Sequence, residues 1–146
     1  MTDAYTAIRD RLDEEGRCPA LLQVVTGMSI DSVEAMTIGP IVSALVVPLS
    51  DTAPPPGSAA LKVSQFELEI VGVVLALTYP GGFEQFVPGR DQIKAALRGW
   101  FPSWAAEPIT YAGGQTLQYT AGQDGGRWLH LLRFRVSTQH TYEVQD

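Results

Sequence analysis

The chain has 146 residues, which fits one domain of ordinary size, and we predict that residues 1–146 form it. Apolar residues make up 45% and charged residues 18%, a globular composition and not a disordered one. Ten basic residues face sixteen acidic ones, for a net charge of −6, and no lysine–arginine run occurs. These charges argue against a module that binds nucleic acid through a basic stripe.

The N-terminus is charged and amphipathic and lacks the basic stub and apolar stretch of a signal peptide. No run of about 18 apolar residues occurs, so we expect no membrane contact and a protein that is made in the cytoplasm and stays soluble. Cys18 is the single cysteine, which excludes an internal disulfide and a multi-cysteine zinc site.

The first third of the chain predicts a helix and two short elements. Apolar side chains at helical spacing and a following glycine place the helix over residues 3–15, with Thr2 or Asp3 as its N-cap. The apolar run at 21–25 predicts a short strand or an extended link, and 31–36 predicts a helical turn.

Residues 41–49 predict a buried strand, and Pro48 places its end at a sheet edge or a turn. The next segment, 50–60, reads SDTAPPPGSAA. Consecutive prolines with a glycine and small polar residues do not pack as a core element. We therefore predict a protruding loop that the prolines stiffen locally.

Residues 61–79 carry the strongest strand signal. Over 66–70, apolar residues alternate with Glu67 and Glu69, which predicts a buried apolar face and a wet glutamate face. From Gly72 onward the apolar residues are continuous. Either both faces of the strand are covered there, or the strand carries a bulge at Gly72.

The last third predicts a helix over 90–99 and two strands, 109–120 and 127–138, joined by a hairpin loop at 121–126. Hairpin links favour neighbouring antiparallel strands with helices on one side. The sequence thus predicts an α/β domain of the α+β kind. It contains a mixed or antiparallel sheet of four to five strands, with two helices packed on one face.

No constellation of catalytic residues is evident. His130 lies among apolar residues, which favours a partly buried core histidine over a catalytic one. Cys18 fits a small buried residue better than a nucleophile paired with a histidine. Glu67 and Glu69 either bind a cation or form a solvated strand face, the commoner case. We predict no enzyme, no catalytic or metal site and no cofactor.

Five segments follow one another in a distinctive order. They are ALVVPLS before the proline-rich loop, LKVSQFELEIVGVVLAL, GRDQIKAALRGWFP, EPITYAGGQTLQYTAGQ and RWLHLLRFRV. Their order and spacing, with the phrase at 111–114, resemble the tail terminator proteins of long-tailed phages over about two thirds of the chain. The acidic N-terminal third departs from the commonest pattern of that family.

The resemblance implies a structural protein of the virion. Tail terminators form a ring, typically hexameric, at the head-proximal end of the tail, stop the tube from polymerising and offer a surface to the head–tail connector. The implied partners are further copies of the chain, the tail tube protein and the connector protein. DNA passes through the channel without sequence-specific binding. The alternatives are a neck or tail tube subunit, or a small intracellular ligand-binding domain or enzyme with an apolar cavity.

The expected subunit interface has two parts. One is the proline triplet of the 50–60 loop, which either reaches a neighbour or is a mere exposed connection. The other is the final-strand face opposite its large apolar residues, where arginines either bind a neighbour or pair with Glu67 or Glu69 of the same chain. The candidate interface residues are Pro54, Pro55, Pro56, Arg127, Leu129, Leu131, Arg133 and Arg135.

Overall fold

The computed structural model describes residues 3–27, 42–59, 62–79, 83–120 and 126–143. Within these ranges the chain forms two α-helices, one short 3-10 helix and six strands. The elements are α1 (Ala4–Asp13), β1 (Gln23–Thr26), β2 (Val42–Thr52), β3 (Gly57–Ala59), β4 (Lys62–Tyr79), the 3-10 helix (Phe83–Gln85), α2 (Phe86–Leu97), β5 (Thr110–Thr120) and β6 (Gly126–Glu143). The predicted turn at 31–36 and the loop residues 121–125 lie outside the described residues.

The strands form one mixed sheet in the order β1-β2-β4-β6-β5, with the short β3 beside β4. β1 runs parallel to β2, and the other pairs are antiparallel. Both helices pack on one face of this sheet. The predicted fold class, an α+β domain with two helices on one face of a mixed sheet, is confirmed.

The main core lies between the helices and the sheet. Ile8 and Leu12 on α1 are one turn apart, which places them on the same side of the helix. Ile93 and Leu97 repeat this spacing on α2, and all four side chains are at most 2% exposed. Asp3 caps α1, since its carboxylate accepts a hydrogen bond from the backbone N–H of Thr6 at 2.7 Å. Such a cap stabilises a helix by about 0.5–2 kcal/mol.

A second, smaller apolar cluster lies on the sheet face away from the helices. Its fully buried members are Leu45, Val47, Val74, Leu129 and Leu131. Partly buried side chains from β1, β2, β4 and β5 pack around them. The middle of the sheet is therefore buried on both faces.

Gly72 lies where this second cluster closes over β4. A methyl group there would lie 2.9 Å from the Leu131 side chain and 3.0 Å from that of Leu49. β4 keeps its register past Gly72 on both sides, and the irregularity lies in β2 between Pro48 and Ser50. Of the two expectations for Gly72, cover on both faces is right and a bulge in β4 is wrong.

The predicted loop at 50–60 is mostly strand. β2 continues to Thr52, and Gly57–Ala59 forms β3, so both pair with β4. Of the described residues 50–59, residues 53–56 leave the ladder and are exposed, where the prolines have no N–H to donate. The prediction of a protruding loop is right for 53–56 and wrong for 50–52 and 57–59, because β4 is long enough to offer those residues backbone partners. Pro48 needs no partner on its other side, because the β1 pairing ends at Val46.

α2 begins at Phe86, four residues before the predicted helix, so Pro88 and Gly89 lie in its first turn. Proline is tolerated there because the first N–H groups of a helix have no intrahelical acceptor. β5 and β6 confirm the predicted hairpin pair, and β6 extends to Glu143 because it stays paired with β4 as far as Lys62.

Candidate functional site

One end of the sheet extends past the two cores. We call it the open ribbon: residues 62–70 of β4 paired with residues 135–143 of β6. Its large side chains are exposed on both faces, with Phe66 44% and Tyr142 47% accessible. The ladder is continuous here. Val136 and Ser137, at the inner end of the ribbon, are buried, and the other described side chains of the ribbon are half-buried or exposed.

The two faces of the ribbon are not the ones that the sequence pattern predicted. Glu67 and Glu69 lie on the side of the helices, the same side as Val71. Phe66 is exposed and Ile70 only half-buried on the outer side. The predicted buried apolar face is therefore wrong, because the apolar alternation changes phase between Ile70 and Val71.

The outer face of the ribbon contains a shallow groove of about 270 Å³. Its lining residues are Pro54, Phe66, Leu68, Glu107, Arg135 and Ser137. The structure thus brings Pro54 and Arg135, which the sequence placed in two separate candidate surfaces, into one groove. Pro54 is fixed there by its carbonyl, which accepts a hydrogen bond from the Gln65 side chain at 3.2 Å.

The arginines of β6 do not pair with the glutamates of β4. Arg133 and Arg135 lie on the outer face, and Glu67 and Glu69 lie on the opposite one. The Arg133 guanidinium instead donates to the Gln115 side chain on β5 at 2.8 Å. Intrachain pairing of these arginines with Glu67 or Glu69 is therefore excluded.

The remaining candidate interface residues do not line this groove. Leu129 and Leu131 are 4% and 2% exposed in the second apolar cluster. Their burial within the chain explains why leucines occur on this face, so they are not free to line an interface. Pro55 and Pro56 are exposed. Arg127 pairs with Thr78 at the far end of the ladder, and its side chain lies outside the described part.

The helix-side face of the ribbon contains an open cleft of about 450 Å³. Its lining residues are Asp3, Ala4, Tyr5, Glu67, Glu69, Trp104, Thr138, Gln139 and His140. His140 Nε2 lies 3.3 Å from a Glu67 carboxylate oxygen and 3.1 Å from the Thr138 hydroxyl. The cleft therefore combines aromatic walls with several carboxylates.

Glu69 is the acidic residue of this cleft whose ionised form is disfavoured by its surroundings. Burial raises the pKa of its carboxyl, and the carboxylates of Asp51 and Glu67 raise it further, although a hydrogen bond from the Tyr5 hydroxyl opposes them. Asp51 is the direct cross-strand partner of Glu69. Like charges placed opposite one another destabilise a sheet, so this cluster favours any cation that reaches it.

The other titratable groups singled out in the sequence are part of the fold. Burial lowers the pKa of His130, whose ring lies edge-on to Phe86 at 5.1 Å. Burial raises the pKa of the Cys18 thiol to about 11, which keeps it protonated at neutral pH. Among the described residues, no group of three or more histidine, cysteine or acidic side chains has the arrangement of a metal site.

Sequence reasoning noticed Glu67 and Glu69 but missed the cleft around them. Asp3, Tyr5 and Trp104 reach it from the start of α1 and from the connection before β5. These distant segments meet only in the tertiary structure. The available signal was the pair of glutamates on one face of a strand, and it did not reveal that α1 begins beside them.

A scan against protein-family models gives no match for this chain, and a search of curated proteins finds no significantly similar sequence. In the part of the chain that the structure describes, no helix is both long and apolar enough to cross a membrane.

Proposed function

We propose that this chain is a tail terminator, a virion subunit that forms a ring on the head-proximal end of a phage tail tube. There it stops tube polymerisation and provides the surface for head–tail joining. The observation that carries the proposal is the open ribbon, which leaves Phe66 and Tyr142 44% and 47% exposed on opposite faces. Large apolar side chains on both sides of a paired ribbon are typical of a surface that neighbouring subunits cover.

The kind of assembly comes from the resemblance of the segments from Ala44 onward to tail terminators. A ring suits this task physically, because a head-to-tail contact between identical subunits whose rotation closes the circle ends at a fixed number of copies and needs no chemistry. A net charge of −6 also suits a channel through which DNA passes without adhering.

The direct test is assembly of the purified protein. We expect electron microscopy and sedimentation to show closed rings, and we expect added rings to shorten tubes grown from tail tube protein and to sit at one tube end. Protein that remains monomeric and leaves the tube length unchanged would contradict the proposal.

A matched pair of variants connects this test to the ribbon. Phe66→Ser removes an exposed aromatic side chain from the ribbon and should weaken ring formation. Phe101→Ser removes an equally large side chain, 57% exposed, from outside the ribbon and should leave ring formation unchanged. Equal effects of the two substitutions would mean that the ribbon is not the contact surface.

The same assay separates the alternatives. A tail tube subunit would extend tubes, and a neck protein would bind heads without limiting tube length. A ligand-binding domain would need an enclosed apolar cavity. The helix-side cleft is open, and Glu67, Glu69 and His140 line it, so a contact with a charged protein surface fits it better.

A further inference from the structure

The two sides of the sheet at the open ribbon differ in the charges they carry. On the helix side lie the carboxylates of Asp51, Glu67 and Glu69, and Asp3 lines the same cleft. On the outer side lie the guanidinium groups of Arg135 and, just beyond the ribbon, of Arg133, with the carboxylates of Glu107 and Glu143 farther along the same side. Each copy of the chain therefore presents an acidic helix side and an arginine-bearing outer side, separated only by the thickness of the sheet.

The acidic side is left without a strong cation. Within the described part of the chain, neither lysine nor arginine forms a salt bridge with Asp51, Glu67 or Glu69. Among the described side chains, that of His140 lies 3.3 Å from Glu67, and it is charged only when protonated. Carboxylates on neighbouring strands repel one another and lower the stability of the fold. A cation from another molecule that binds between them reduces this repulsion.

The basic side has the properties of a docking surface. The Arg135 side chain is exposed and borders the groove whose apolar lining includes Phe66 and Leu68. Glu107 also lines this groove, but Arg133 lies one pleat away and adds a second positive charge. An apolar groove with arginine at its rim can both bury area and fix the register of a partner.

We infer that the arginine-bearing outer face of one copy docks on the acidic helix-side cleft of the next copy. The inference rests on the proposed ring and names its contact surfaces. Tyr5 and Trp104 line the receiving cleft, and aromatic rings bind guanidinium groups over their faces. Because donor and acceptor surfaces differ, the contact is head-to-tail, which is the geometry that generates rings.

A second copy fits the cleft better than a metal ion does. The described acidic and histidine side chains include no group arranged to hold one. The chain itself also offers exposed arginine on its outer face, which complements the carboxylates of the cleft in charge. A bound divalent cation is thus an outcome that the experiment has to exclude.

Two charge-reversed proteins test the contact. Arg133→Glu with Arg135→Glu places acidic side chains on both faces. Glu67→Arg with Glu69→Arg places two arginines in the cleft, where Asp3 and Asp51 remain, and so removes the acidic excess that would receive a neighbour's arginines. We expect each protein alone to associate at least about tenfold more weakly than the unaltered chain, because close charge pairs across an interface couple strongly. Mixing the two should restore rings of alternating copies. Sedimentation velocity and native mass spectrometry measure both effects, and circular dichroism checks folding.

Charge changes away from the ribbon provide the control. Arg98→Glu on the last turn of α2 and Asp13→Arg at the end of α1 alter exposed residues, and rings should persist in both. If the unaltered chain forms rings and either reversed protein forms them equally well, the contact surfaces are wrong while the ring function stands. If the unaltered chain never assembles, the ring function itself fails.

A second measurement does not depend on the folding of any variant. Ring dissociation of the unaltered chain should increase as salt shortens the Debye length from about 30 Å at 0.01 M to about 10 Å at 0.1 M. Rings that tighten with salt would overturn the contact, since a purely apolar interface behaves that way. Rings that dissociate on addition of a chelator at constant ionic strength would show that a metal ion occupies the cleft and would also overturn it.

Discussion

The centre of the sheet and the open ribbon are built from the same two strands but differ in what covers them. At the centre, Val71, Val73, Val74 and Leu75 are all fully buried. In the ribbon, the same β4–β6 ladder continues to Lys62 and Glu143, although apart from Val136 and Ser137 its described side chains are half-buried or exposed. Hydrogen-bonded pairing is therefore independent of burial here. The centre contributes most of the hydrophobic stabilisation, and the ribbon is free to contact other molecules.

The largest expected effect comes from comparing two phenylalanines. Phe134 is fully buried at the centre and Phe66 is 44% exposed in the ribbon. We expect Phe134→Ala to lower the free energy of unfolding by about 3–5 kcal/mol, because it removes core contacts and leaves a cavity. We expect Phe66→Ala to lower it by less than about 1 kcal/mol. Urea denaturation of dilute, unassembled protein measures both, and equal losses would show that the ribbon is packed as tightly as the centre.

A smaller effect is expected at Gly72, where the centre has no spare volume. The added methyl group of Gly72→Ala would meet the tips of Leu131 and Leu49 at 2.9 and 3.0 Å. Overpacking of this kind costs about 1–3 kcal/mol of folding free energy. Gly89→Ala is the matched control, since its methyl group would lie 3.4 Å from Leu75 in a helix that favours alanine. Destabilisation of the Gly89 variant by as much as the Gly72 variant would argue against a specific tight contact.

The smallest expected change in stability comes from replacing Glu69 in the ribbon, and this change should depend on pH. The pKa of this carboxyl is raised in the folded protein by burial and by neighbouring carboxylates. At a pH above that pKa, the ionised carboxylate lowers the free energy of unfolding. As the pH falls through the pKa, the folded state binds a proton and this loss of stability disappears. We expect Glu69→Gln to be slightly more stable than the unaltered chain at neutral pH. The difference should shrink on acidification, as urea titrations across the range will measure. A constant difference would mean that ionisation of Glu69 is not its cause.

The sequence predicted the centre better than the ribbon, for a physical reason. The stripe of α1, the long apolar run of β4 and the β5–β6 hairpin each follow from periodicity. Alternation over 66–70 shows that neighbours point to opposite sides, but it does not say which side the helices take. That choice is made by Val71 and its successors, which reverse the phase. The prolines likewise predicted a loop over the whole of 50–60. The local sequence does not show that β4 is long enough to pair with most of this segment.

The predictions for the candidate site were likewise right where strand alternation decides the arrangement and wrong where the tertiary structure decides it. Arg133 and Arg135 were placed correctly on the face away from the large apolar residues of β6, since strand alternation determines that arrangement. The burial of Leu129 and Leu131 was missed because it depends on a second apolar cluster assembled from five strands. The cleft beside Glu69 was missed because segments far apart in sequence form its walls.

The two outermost strands of the sheet, β1 and β5, are poor templates for the addition of a further strand. β1, at one edge, has only four residues, and its pairing with β2 stops before Pro48. β5, at the other edge, has two register irregularities, and Gly113 adopts a positive φ of 102° inside the first of them. Short and distorted edges offer a poor template for strand addition, the contact through which sheets grow into fibres. Strand addition is thereby discouraged along β1 and β5, whereas residues 136–143 of β6 lie beyond the β5 pairing and have β4 as their only partner among the described strands.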